Sequence, residues 1–254
     1  MPIIYLLIAL IATSLGTLAG LGGGVIIKPA LDALGDYNVF VIGVLSSATV
    51  LSMSMVSTTR RIADGIKIDK ILLMLAIGGI AGGFIGKLLF QYCLAHIAPG
   101  RLTGIQAVMI IALLHVALFK NRLPRWQVDN LFLIFLMGVL LGGLASFLGI
   151  GGGPINVAVL CMFFDMDIKE AAAGSIFIIL FSQAAKLISI ALTTGFGPYD
   201  YSILWYMIPA GVAGGVIGPA LKNKLSHRAI EIVFKVAVIA VVIVNVYNII
   251  RLNT

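Results

Sequence analysis

The sequence predicts an all-α integral membrane protein, a helical bundle of two inverted repeats, each a glycine-broken helical hairpin followed by three transmembrane helices. Three observations predict it. Hydrophobic residues make up 61% of the 254 residues and charged residues 11%, against roughly 45–50% and about 25% in soluble domains. So few charges cannot cover a compact body in water, and disorder requires the opposite composition. The apolar residues also fall in eight long runs. Finally, two glycine clusters, Gly20-Leu21-Gly22-Gly23-Gly24 and Gly149-Ile150-Gly151-Gly152-Gly153, recur half a chain apart.

The elements follow in order. Repeat 1 covers residues 1–122, with a broken hairpin at 2–35 and spans at 39–59, 71–90 and 102–119. Repeat 2 covers residues 123–254, with a broken hairpin at 131–164 and spans at 171–194, 201–221 and 229–250. Together they form one membrane domain. The six spans have the ~20-residue length that crosses a ~30 Å hydrocarbon core. The two hairpin runs are too long for one crossing, ~50 Å at 1.5 Å per residue. Glycine punctuates helices, so each long run should divide near its middle into two half-helices around an unwound turn.

The repeat rests on two matches. Gly22 and Gly151 are 129 residues apart, with four of five cluster positions identical. GGIAGGFIG at Gly78–Gly86 and AGVAGGVIG at Ala210–Gly218 share six of nine residues at an offset of 132. Basic residues set orientation. The linker after the second run carries Arg60, Arg61, Lys67 and Lys70, whereas its counterpart GFGPYDY carries none. The linker after the third run holds only Arg101, and its counterpart holds Lys222, Lys224 and Arg228; the central linker has Lys120, Arg122 and Arg125. Counting crossings between these basic linkers gives a conflict unless each glycine-broken run returns to the side it entered, which places both termini outside. Unwound backbone at membrane depth belongs in buried or cavity-lining positions, and inverted repeats with broken helices recur in secondary transporters.

The net charge of +7 resides mostly in short linkers, which fits insertion polarity better than a phosphate-tracking patch, so no nucleic-acid partner is expected. Cys93 and Cys161 are too few for a disulfide scaffold and have no metal spacing. The N-terminal MPIIYLLIALIATSLG lacks a basic n-region and an A-x-A site, and is read as a retained span. His96, His115 and His227 are scattered, and there is no G-x-S-x-G elbow or intramembrane carboxylate pair. No enzymatic role, cofactor or metal is expected.

The glycine clusters head the candidate site residues. They lack the spacing and βαβ context of a dinucleotide fingerprint. Successive glycines at Gly22, Gly23, Gly24 and at Gly151, Gly152, Gly153 could instead aim backbone N–H groups and helix N-termini at an anion near the midplane. The windows at Gly78–Gly86 and Ala210–Gly218 read as helix-packing faces. Lys28 and Lys186 lie inside apolar runs, where charge is costly and marks function, and no Asp or Glu lies well inside a run to accompany them. Lys87 and Lys235, nearer run ends, read as snorkelling. Asn156 and Gln183 are amides that need partners in lipid. Ser46 and Ser175 align at the 129 offset and complete the set, although hydroxyls often bond only their own helix.

The segments GTLAGLGGGVIIKPAL at Gly16–Leu31 and ASFLGIGGGPINVAVL at Ala145–Leu160 resemble the TauE/SafE sulfite exporter family over essentially the whole chain. The resemblance implies a multi-pass transporter of small anions, chiefly sulfite or sulfonates such as sulfoacetate, in the cell (plasma or inner) membrane. Lys28 and Pro29 face Val157 and Ala158 in the second copy, so only one half can contribute this lysine. The expected partners are a small anionic substrate and the lipid bilayer, with a homodimer as a conceivable assembly. An anion channel or a non-transporting scaffold is the alternative to a secondary transporter, and export fits a membrane potential that expels anions.

Overall fold

The computed structural model describes residues 2–63, 68–119 and 126–252. Lys67, Lys120, Arg122 and Arg125, and the side chain of Lys222, lie outside what it describes. The described residues form ten helices and no strand: α1 (Pro2–Ala19), α2 (Gly24–Leu34), α3 (Val39–Ala63), α4 (Lys70–His96), α5 (Pro99–Leu118), α6 (Leu131–Leu148), α7 (Gly153–Phe163), α8 (Ile168–Thr193), α9 (Leu204–Lys224) and α10 (His227–Leu252). Eight of them, all but α2 and α7, are long and apolar enough to cross a membrane. Large apolar side chains face outward, among them Leu140 (66% exposed), Leu192 (76%) and Trp205 (83%). Lipid accepts such a surface and water does not. The chain is a multi-pass membrane protein.

Local chemistry sets the helix ends. Asp69 accepts from the Leu72 N–H at the start of α4 (2.8 Å), and Asn130 accepts from Phe132 at the start of α6 (2.9 Å). A capping box opens α8, with Asp167 accepting from the Lys169 and Glu170 N–H groups and Glu170 accepting in return. Each cap satisfies donors that have no intrahelical partner. Gly35 ends α2 in the left-handed conformation.

The hairpins break at their glycine clusters but not at their middles. Each has an 18-residue first arm and an 11-residue second arm, which corrects the expectation of two half-helices. The break sits where three residues need positive φ, and only the glycines permit it. Gly20, Gly22 and Gly23 have φ of 75°, 77° and 69°, and Gly149, Gly151 and Gly152 have 68°, 78° and 75°. Each second arm folds back to the level where the first began. The Tyr5 hydroxyl donates to Asp36, and the N–H groups of Trp126 and Val128 donate to Met162 and Phe163 carbonyls at 2.8 and 3.3 Å.

The helices pack with partners from the other end of the chain. Gly78, Gly82 and Gly86 of α4 meet the α6 backbone near Phe135, Val139 and Gly143 in turn, so α4 and α6 run parallel. On the opposite flank Gly214 and Gly218 of α9 meet Thr13 and Thr17 of α1, also in parallel. A Cβ built on Gly82 would lie 2.1 Å from the Val139 carbonyl oxygen, so these windows are close-packing faces. Between the flanks, α3 and α8 cross in opposite directions, with Lys186 beside Gly43 and Ser47 while Ile179 and Val50 both abut Gly151.

Candidate functional site

The two glycine breaks touch each other beside Val50 and Ile179, near the middles of α3 and α8. A Cβ on Gly24 would lie 2.6 Å from the Ile150 oxygen, and one on Gly153 would lie 2.0 Å from the Leu21 carbonyl carbon. Only glycine lets these backbones approach so closely. Ser175 fastens the contact, donating to the Gly20 carbonyl (2.8 Å) with the Gly153 carbonyl at 3.3 Å. Its counterpart Ser46 has a fully buried Oγ without a partner. The N–H groups of Gly22 and Gly24 donate within the break, to Gly16 (3.2 Å) and Gly22 (2.7 Å) carbonyls. They therefore do not face a cavity, unlike the sequence expectation.

Beside this crossing is a narrow cavity. The free room within it suits about one water molecule. Its polar walls are Lys28, Lys87, Lys186, Gln91 and Gln106, with Phe40, Phe90, Phe147 and Gly149 among the others. Lys186 is 4% exposed. Its ammonium donates to Ser47 Oγ (2.9 Å) and the Gly43 carbonyl (3.2 Å), using two of its three N–H donors. Lys28 and Lys186 flank Gly149: a Cβ there would lie 3.6 Å from Lys186 Nζ and 3.6 Å from Lys28 Cδ.

Lys28 does have a carboxylate partner, which corrects the reading of lysines without buried acids. Its Nζ lies 2.7 Å from Asp32 Oδ2, with side chains 2% and 8% exposed. One turn of α2 joins them at i and i+4, and α2 folds back into the bundle, so the Asp32 side chain is largely covered despite its place near a run end. Lys87 also departs from the snorkelling expectation. It is 1% exposed and donates to the Thr193 hydroxyl. The cavity thus gathers three lysines against one carboxylate, an electrostatic setting for an anion.

Asn156 and Gln183 are 1% and 0% exposed, and no polar atom of either side chain has a partner. They belong to the α7 and α8 segments near the crossing but not to the cavity walls. Buried amides left unpaired are costly, so these positions invite a water, a ligand or a second packing. Gln106 was missed by sequence reasoning: its Nε2 donates to the Phe147 carbonyl (2.6 Å) while its Oε1 has no partner. An amide inside an apolar run was the available signal. Among the described residues no group of three His, Cys, Asp or Glu side chains could hold a metal. Cys93 and Cys161 form no disulfide and are half-buried.

The family described as "Sulfite exporter TauE/SafE" matches residues 5–245. The chain belongs to that family. The TauE/SafE match takes in both glycine breaks and every wall of the cavity. Similar proteins carry transporter names. "Probable membrane transporter protein YunE" of Bacillus subtilis is 24% identical, over 94% of this chain and 95% of the relative. "Probable membrane transporter protein YjnA" of the same organism is 28% identical over 92% and 95%. "Probable membrane transporter protein MJ0441" of Methanocaldococcus jannaschii is 27% identical over 90% and 89%. No solved structure matches the chain. This TauE/SafE protein is a membrane transporter, with a small substrate and the lipid bilayer as its partners.

Proposed function

We propose that the protein is a secondary transporter that exports small oxyanions, sulfite or compact organosulfonates such as sulfoacetate, and does so by alternating access between two inverted repeats. One observation carries the substrate class: the narrow cavity beside the glycine crossing, where Lys186 keeps a free donor and has no carboxylate partner among the described residues. A buried ammonium with donor capacity to spare favours a small anion over a neutral or cationic substrate. The inverted arrangement is supported by the helix directions. α1, α3 and α9 run one way, while α4, α6 and α8 run the other, so corresponding helices of the halves are opposed. The family's description supports sulfite among the candidates. The tightness of the cavity supports a carrier that must open, in preference to a standing pore.

The test is a binding screen by calorimetry on purified protein with sulfite, sulfoacetate, sulfate and acetate. Saturable binding of a sulfur oxyanion, lost in Lys186→Ala, is the expected result. Binding of acetate alone, or equal binding by Lys186→Ala, would sink the substrate class.

A further inference from the structure

We propose that Arg61, with Ser57 and Thr58, forms a second anion-binding station on the opposite side of the glycine crossing, facing the cytoplasm and closed in this conformation. The inference rests on the inverted-repeat transporter reading above and extends it to residues outside the cavity.

Sequence pattern placed Arg61 among the linker charges, yet it lies within the last turn of α3 and is only 6% exposed. Its Nη2 donates to the Thr17 carbonyl at 3.2 Å, while Nη1 is buried without a partner. Ser57 (0% exposed) and Thr58 (7%) stand within one turn of it, and their hydroxyl oxygens are likewise buried and unpartnered. Three orphaned polar groups on adjacent turns do not suit a finished packing interface. A guanidinium with one free arm and two hydroxyls is a donor set for a small oxyanion.

The repeat explains why the set is there. At the 129-residue offset Ser57 corresponds to Lys186, and Arg61 corresponds to Ile190. Lys186 and Ile190 both line the cavity described above. The end of α1 that receives Arg61 corresponds to the segment around Phe147 and Gly149 that forms another wall. Ser57 and Arg61 therefore occupy, in the first half, the place that the cavity occupies in the second. In this conformation the second-half cavity keeps some space, and in the first half Ser57, Thr58 and Arg61 are buried. Val50 touches the crossing, with Lys186 and Ser47 on one side of it along α3 and Arg61 about 16 Å further along on the other. The basic residues Arg60, Lys70, Lys224 and Arg228 lie at the Arg61 end of the bundle, which is the cytoplasmic end by insertion polarity. Exchange of the two packings would pass an anion from Arg61 to Lys186.

Labelled sulfoacetate uptake in membrane vesicles of known orientation tests this. Inside-out vesicles report the KM at the cytoplasmic face, and right-side-out vesicles report it at the outer face. Arg61→Gln should raise the cytoplasmic-face KM roughly 10- to 100-fold and change the outer-face KM less than about twofold, and Arg61→Lys should recover part of the loss. Arg61 could instead serve only to hold the Thr17 carbonyl; an equal loss at both faces, or none at either, would show that and overturn the proposal. If Arg61→Gln fails to insert, the pair Ser57→Ala with Thr58→Ala decides, because neither hydroxyl is hydrogen-bonded to Thr17: a several-fold rise confined to the cytoplasmic face supports the station, and no change refutes it. Absence of wild-type uptake at both faces would sink the anion-transport reading and the station with it, whereas normal wild-type uptake with a face-independent defect sinks the station alone.

Discussion

Lys28 and Lys186 line the same cavity with the same formal charge, and their neighbours divide their roles. Lys28 is neutralised by Asp32 at 2.7 Å, so removing it leaves a buried carboxylate unpaired, which costs about 3–5 kcal/mol. Lys28→Met should lower the melting temperature in detergent, and adding Asp32→Asn should recover part of the loss. Absence of coupling between the two changes would show that the pair is not a unit. Lys186 hydrogen-bonds a hydroxyl and a carbonyl, with no carboxylate partner among the described residues. Lys186→Ala should therefore leave stability nearly unchanged while weakening sulfoacetate binding roughly 10- to 100-fold, the worth of a charge-assisted hydrogen bond. Calorimetry on the two variants separates these outcomes.

Glycine decides the behaviour of whole elements. In α4, a Cβ on Gly82 would press on the Val139 carbonyl oxygen at 2.1 Å, whereas one on Gly143 of α6 would meet nothing nearer than 3.6 Å. Gly82→Ala should destabilise the protein by about 1–3 kcal/mol through overpacking, and Gly143→Ala should be tolerated; thermal unfolding followed by circular dichroism compares them, and equal melting temperatures would refute the close-packing account. These elements were largely legible in the sequence. The glycine clusters at Gly20–Gly24 and Gly149–Gly153 marked both breaks, and hydropathy marked the spans. The asymmetry of the arms was not legible, because apolar length says where a run ends but not which of its glycines takes positive φ. The Lys28–Asp32 pair and the burial of Lys87 and Arg61 were also hidden. A charge near a run end reads as a surface charge until the packing of neighbouring helices encloses it.

At the scale of the molecule, the start of α1 and the end of α10 lie on one face of the bundle. Tyr5, near the start of α1, bonds Asp36, and Arg251, at the end of α10, donates to the Ala33 carbonyl. The basic residues Arg60, Lys70, Lys224 and Arg228 lie at the other end, so epitope tags fused to either terminus should be digested by protease added outside intact cells. Protection of both tags in intact cells, with digestion only after the membrane is opened, would reverse the orientation and with it the faces assigned to Lys186 and Arg61.

The cross-chain pairing of α1 with α9 and of α4 with α6 also bears on how the protein is made. Thr17 of α1 donates to the Gly214 carbonyl of α9 across 197 residues of sequence. When a ribosome has delivered only the first half, α1 and α4 are in the bilayer with the Thr13–Thr17 face of the one and the glycine face of the other bare, and their lasting partners not yet synthesised. Such a chain must be held by lipid, by the insertion machinery or by loose temporary contacts until late in translation. Two halves produced as separate polypeptides in the same cell should then rescue one another, while either half alone should be degraded.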